Sequence, residues 1–464
     1  SSSTTFNEST GSIQFYGDLS GGSLLGNDVV FAGVGAIKFG SMGQNSTGTG
    51  FALQDIEFSG INSSTPDSFL TGKIAFPTLK TIPSGNISAQ SISTQGGVRF
   101  LNTVNIPGTQ TYNDAGGAVG DNNISLAATG DITMPSISAV NKITLNTTGT
   151  GQIILGDAIA TGLVDLTHGG NLSFTGTSFI ADSLIEASNP STNITTVLFG
   201  ANTGEALVQL TNGNFLINNN VTLTGDLRVR TQSGNGSITF SRTVDSSSAT
   251  RRNLSLESNG VVTFGNNLGA TQKLGRIAIN ETNNQTLQGL VVNGTISASS
   301  FSSGIVANDI NILQQQTYDA VEGLSLTTTT NGGILGDIKI GILNTTFKAG
   351  LTLKNSGTVT FDSSITVDGA ITQLVGTGGG ANSNVVIGAP AGNAVTIVSN
   401  TGSITFNSPV NLIRDTTLQT TNQDISINGS LNSSNTNTLT VLPGTGATTF
   451  GGNIGAANPL GSIV

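Results

Sequence analysis

The sequence predicts an all-β fold, a right-handed parallel β-helix (β-solenoid) with little or no helix. Three observations lead there: a strand phrase that recurs along the chain, a longer self-similarity that groups those phrases into modules, and a composition poor in charge.

The phrase is a Gly or Asn followed by alternating aliphatic and small polar residues ending on Phe, Leu or Ile. It stands as GSIQF from Gly11, GAIKF from Gly35, GKIAF from Gly72, GNLSF from Gly170, GSITF from Gly236, GVVTF from Gly260, GTVTF from Gly357 and GSITF from Gly402. Apolar and polar positions that alternate mark a half-buried strand, and Gly, Asn and Asp between phrases supply the turns. Helical spacing of apolar residues is nearly absent.

Short strands alone are compatible with a sandwich, a barrel or a solenoid, and the longer repeat decides among them. GNISAQSIS from Gly85 answers GTISASSFS from Gly294, QTYNDA from Gln110 answers QTYDA from Gln316, and GDITM from Gly130 answers GDIKI from Gly336. Tyr112 and Tyr318 are 206 residues apart, as are Asp131 and Asp337. A second correspondence joins the stretches from Leu227 and Leu254 to those from Leu418 and Leu439, and FGNNLGATQKLGRIA from Phe264 to FGGNIGAANPLGSIV from Phe450, 186 residues on. The repeat signals therefore pair 85–131 with 294–337 and 227–278 with 418–464, and a module of about 190–210 residues occurs roughly twice. Residues 1–464 are expected to form one continuous solenoid. Coils of roughly 20–25 residues, each adding about 4.8 Å, would give a rod on the order of 100 Å. NPLGSIV at the end is neither a polar nor a helical cap, so the chain reads as a segment of, or a subunit in, a longer rod.

The composition suits this fold. Only 9% of residues are charged, Gly numbers 63, and Cys and Trp are absent. Inward positions stack Val, Ile, Leu and Phe, outward positions carry Ser, Thr and Asn that bond across coils, and Gly and Asn accept the positive φ of corners. Like charges stacked in register about 4.8 Å apart would repel, a physical reason for so few. The net charge of −10 argues against nucleic acid and anionic membranes as partners, and no run of about 18 apolar residues points to membrane insertion.

No catalytic, cofactor-binding or metal-binding residues are expected. His168 is the only histidine, with no Cys or second His at ligand spacing, and reads as a turn residue. Asp114 and Asp131 recur as Asp319 and Asp337, and a residue needed in every module is more simply a corner residue than a catalyst. Asn-x-Ser/Thr sequons are frequent, as a chain this rich in those residues would show by chance. Parallel β-helices also house polysaccharide lyases and hydrolases, so a carbohydrate-active enzyme is the alternative. Its carboxylates would have to converge on one face, and its sugar platforms would use Trp or Tyr; Trp is absent and Tyr numbers 3.

One cluster departs from the background. Arg228, Arg230, Arg242, Arg251 and Arg252 crowd a single stretch, and Arg228 and Arg230 alternate on one strand and so share a face. They form a candidate interaction patch toward an acidic surface or glycan; the simpler reading is local pairing with Asp226, Asp245 and Glu257.

The order of three phrases, FGNNLGATQKLGRIA, then QTYDA, then LTGDLRVRTQSGNGSITF and its partner LIRDTTLQTTNQDISI, resembles secreted bacterial surface proteins of the filamentous-haemagglutinin and autotransporter-passenger type. The resemblance covers about half the chain. It implies a parallel β-helix shaft at the bacterial cell surface, non-enzymatic and extracellular, working as an adhesin segment or a self-assembling filament. Its expected partners are further copies or neighbouring solenoid segments, joined end to end or laterally, and cell-surface glycans.

Overall fold

Strand alternation becomes architecture through parallel pairing. The structure, a computed structural model, describes residues 142–464 except 148–149, 161, 189–195, 201–203, 232–234, 248–249, 282–285, 302–303, 313–315, 319–323, 330–334, 342, 345–349 and 377–382. Before residue 142 it describes strands alone. The repeat signal over 85–131 and the positions Asp114, Asp131 and Asp319 lie outside the described residues, save for strand backbones such as Thr109–Tyr112. The chain forms two compact units, Ser1–Gln232 and Ser233–Val464.

In the first unit one sheet runs through Ile143–Thr147, Leu163–His168, Ser183–Ser188 and Phe215–Ile217, each parallel to the one before. Another runs through Ile153–Ile159, then Leu172–Phe174 with Ser178–Ala181, Thr196–Phe199 with Glu205–Leu210, and Asn220–Leu223 with Asp226–Thr231. In the second unit Leu324–Thr328, Leu351–Asn355, Ile371–Val375, Ile404–Phe406, Ile425–Ile427 and Thr448–Phe450 pair in succession. So do Ile365–Val367, Val395–Ser399, Thr416–Thr420 and Thr438–Leu442. Every described pairing is parallel and joins one coil to the next. The fold is a parallel β-solenoid of about 11 turns, with no helix among the described residues.

Coil length varies more than the expected 20–25 residues. Val164 pairs with Leu184, twenty residues on, whereas Ile371 pairs with Ile404, thirty-three on. The strands stay short in both, so the extra residues fall in the connections between strands, where insertion costs little loop entropy.

Alternation sets what each strand buries. Leu163–His168 and Asp226–Thr231 both read outward, inward, outward, inward along their length. The inward positions of successive coils are in register and form columns, such as Val164, Leu184 and Phe215, all fully buried. Each such side chain contributes about 1.5–3 kcal/mol of burial against the entropy of ordering its coil. Aromatic rings follow the same columns. Phe174 and Phe199 are register partners, and their rings stack 4.4 Å apart at 3°, close to the natural separation of paired strands.

The outward positions are in register too. Ser325, Thr352, Thr372, Thr405, Ser426 and Thr449 make one column of hydroxyls. Elsewhere amides bridge coils, as where Asn428 Nδ2 donates to Asn407 Oδ1 at 2.7 Å. Where charges face across coils they are of opposite sign: Lys339 lies 2.8 Å from Asp362, and Lys142 lies 3.6 Å from Asp165.

Glycine serves close approach as much as positive φ. A side chain at Gly260 would put Cβ 2.5 Å from the carbonyl oxygens of both Asn235 and Gly236, so this corner admits no larger residue. The left-handed conformation falls to residues such as Gly388, at φ 102°, and Asn280, at φ 53°.

Candidate functional site

The arginine stretch was the one departure from the background, and the two units divide it. In the first unit Arg228 and Arg230 stand on the outward face of Asp226–Thr231, half-buried and side by side, as alternation requires. Arg228 Nη1 lies 3.8 Å from Glu205 Oε1 on the preceding coil, a residue absent from the three acids named as its expected partners. In the second unit Arg242 and Arg251 are exposed, and the half-buried Arg252 donates its backbone N–H to Ser246 Oγ at 3.0 Å. Asp245, one of the expected partners, instead accepts the backbone N–H groups of Thr271 and Gln272 at 2.9 and 3.2 Å. The Arg228–Glu205 contact is long and wet, so Arg228→Ala should change unfolding free energy by less than about 1 kcal/mol, and less still at high salt. Denaturant titration of the two proteins at low and high ionic strength measures this.

Asp245 belongs to a pattern that sequence spacing did not reveal. Asp157, Asp309, Asp337, Asp415 and Asp424 likewise turn Oδ1 to backbone N–H groups of the following coil, at 2.7 to 3.0 Å. Asn253, Asn267 and Asn422 do the same with their amide oxygens. These donors sit where the chain leaves one sheet for another and no ladder bond is available, so a short side-chain acceptor satisfies them. Asp337, read from the sequence as a corner residue, occupies one such corner and accepts from Thr358.

His168 is a larger departure. Expected in a turn, it is the last residue of Leu163–His168, on the inward phase, and its side chain is fully buried. Its Nδ1 lies 2.6 Å from Gly170 O and its Nε2 lies 2.7 Å from Glu186 Oε1. A carbonyl only accepts, so Nδ1 carries a hydrogen. Glu186 is fully buried as well, in a column otherwise aliphatic: Leu145, Leu166, Glu186 and Ile217 are successive register partners. Its Oε2 accepts the backbone N–H groups of Asn218 and Asn219 at 2.7 and 3.1 Å, and its Oε1 also accepts Asn219 Nδ2 at 2.5 Å. Asn218 Nδ2 returns a bond to Glu186 O at 2.7 Å.

The second unit carries the same arrangement with uncharged groups. Gln373 interrupts the column Leu353, Gln373, Phe406, and its Oε1 accepts the N–H groups of Asn407 and Ser408, both at 2.9 Å. Asn407 Nδ2 returns to Gln373 O at 2.7 Å. Asn355 takes the place of the histidine: Nδ2 donates to Gly357 O and Oδ1 accepts Gln373 Nε2 at 2.7 Å. His168 and Asn355, like Glu186 and Gln373, are 187 residues apart. A neighbouring hydroxyl is duplicated too. Thr147 Oγ1 donates to Gly151 O and accepts Gly169 N–H, and Thr328 Oγ1 donates to Gly336 O and accepts Ser356 N–H.

Sequence reasoning missed Glu186 and its partners. The available signal was an ionisable residue on the inward phase of an alternating strand, SLIEAS, where Leu184 and Glu186 share a face. Fully buried, the cluster is closed to any substrate, and its chemistry is the coupling of one coil to the next. Among the described residues no three of His, Cys, Asp or Glu stand together as a metal site would need. Comparison with protein-family models, with curated proteins and with solved structures gave no match.

Proposed function

We propose that the chain is a non-enzymatic structural or adhesive shaft: part of an extracellular bacterial surface protein of the filamentous-haemagglutinin or autotransporter-passenger type, or a self-assembling filament subunit. The observation that carries this reading is the use made of the acidic side chains. Asp157, Asp245, Asp309, Asp337, Asp415 and Asp424 are committed to the backbone of the next coil, and Glu186 to the core. Carboxylates spent on coil coupling in turn after turn are what length and stiffness require. A glycosidase or lyase would gather a few of them on one face. In this reading the outward hydroxyl and amide columns meet neighbouring shafts or cell-surface glycans, and Arg228 and Arg230 add local positive charge.

Electron microscopy of the purified protein, together with retention on glycan-coated and cell surfaces, tests the proposal. Thin rods or filaments with surface retention are expected. Shortening of acidic or neutral polysaccharides on incubation with the protein would sink it in favour of the enzyme.

A further inference from the structure

The two buried networks differ in one physical respect: the first contains ionisable groups and the second does not. Gly170 O fixes a hydrogen on His168 Nδ1, and both lone-pair directions of Glu186 Oε2 face backbone N–H donors. One line remains, the 2.7 Å between His168 Nε2 and Glu186 Oε1, and a single shared proton completes it. With that proton the pair is neutral overall, and every polar atom named has a partner. Without it two acceptors face each other in the core beside an uncompensated negative charge. With a second added proton, a carboxyl hydrogen would confront donors already in place. At the equivalent corner Gln373 Nε2 supplies its own hydrogen to Asn355 Oδ1, so that network needs no proton from solvent.

We propose that His168 and Glu186 form a proton-held corner, a pH-sensitive device that loosens the coil from Leu163 to Asn219 on the alkaline side while the equivalent coil from Leu351 to Ser408 stays shut. The surroundings support a local effect. Among the described residues the other polar groups at this corner are Thr147, Asn218 and Asn219, none of which titrates. The nearby charges face outward: Asp165 pairs with Lys142, Asp157 binds the backbone of Thr177 and Ser178, and the half-buried Asp182 meets Ser183 Oγ.

The sign follows from counting protons. When the coil opens, His168 and Glu186 enter water, where imidazole is neutral above about pH 6.5 and carboxylate is ionised above about pH 4.3. Above about pH 6.5 the closed corner thus holds one proton more than the open one, and its stability falls as pH rises, by up to about tenfold in the opening equilibrium per pH unit. Below about pH 4.3 the open state holds one more, and stability falls as pH drops. Between these limits the corner is at its firmest.

Native-state hydrogen exchange from pH 6 to 9, expressed as protection factors corrected for intrinsic exchange, reads this out at the backbone amides of Asn218 and Asn219. The amides of Asn407 and Ser408 serve as an internal control. Protection at the first pair should fall relative to the second by up to about tenfold per unit, and the fall should vanish in His168→Asn/Glu186→Gln. Glu186→Gln alone should abolish it too, since the amide brings its own hydrogen to Nε2, so either variant that folds suffices. Equal pH profiles at the two corners of the wild-type protein, or an alkaline fall that survives in the variants, would overturn the proposal.

Discussion

Replacing Glu186 by alanine should destabilise the first unit by about 3–5 kcal/mol, the usual consequence of removing one partner from a buried, hydrogen-bonded charge pair. The loss has identifiable parts. The N–H groups of Asn218 and Asn219 and the Asn219 amide lose their acceptor, and His168 Nε2 is left facing a void, with each stranded buried group costing about 1–3 kcal/mol. Glu186→Gln should cost no more than about 1.5 kcal/mol, because the carbonyl oxygen keeps both backbone donors and the amide reaches the imidazole, much as Gln373 does at its own corner. Denaturant titration monitored by exchange at the amides of Leu184 to Asn219 distinguishes the two. A solenoid unravels locally, so a whole-chain midpoint would blur the difference. Equal losses for alanine and glutamine would show that the carboxylate's charge, not its hydrogen-bond geometry, holds the corner.

That comparison also marks where the sequence stops being readable. The phrases GNLSF, GVVTF and GTVTF become Leu172–Phe174, Val261–Phe264 and Thr358–Phe361, with Phe inward in each, because a period of two is a local property and needs no knowledge of the partner strand. Arg228 and Arg230 share an outward face for the same reason. Partnership across coils is a different kind of information. It depends on coil length, and coils here range from the twenty residues between Val164 and Leu184 to the thirty-three between Ile371 and Ile404. Hence Glu205 was not among the partners expected for Arg228, Asp245 turned out to bind a backbone, and a lone histidine that seemed destined for a turn proved to have a carboxylate eighteen residues on. The parallel solenoid itself was legible because its evidence, alternation plus repetition, survives such length changes.

Phe199→Ala should be the most damaging change of a purely apolar kind, at about 3–5 kcal/mol. Phe199 is fully buried, stacks on Phe174 at 4.4 Å, and leans toward Phe215 at 6.1 Å and 42°. Phe174 in turn meets the edge of Phe179 at 5.4 Å and 88°. Removing the middle ring interrupts the aromatic contacts of three successive coils and widens a cavity of about 10 Å³ that already lies against Phe174, Phe179 and Phe199. Collapse around the gap is restricted, because Val197 and Phe199 are held by parallel ladders to the coils on either side. The loss should appear as a drop of about two to three and a half powers of ten in exchange protection for Leu172 to Leu223. At the corresponding place in the second unit stands Ile387, flanked by register partners Phe361 and Leu412. Phe199→Ile should therefore recover most of the loss by restoring a branched aliphatic side chain to a column that accepts one elsewhere. If isoleucine rescued nothing, the ring stack would have to act through its aromatic geometry rather than its volume, and the coils around it would owe their order to a specific contact that the rest of the solenoid does without.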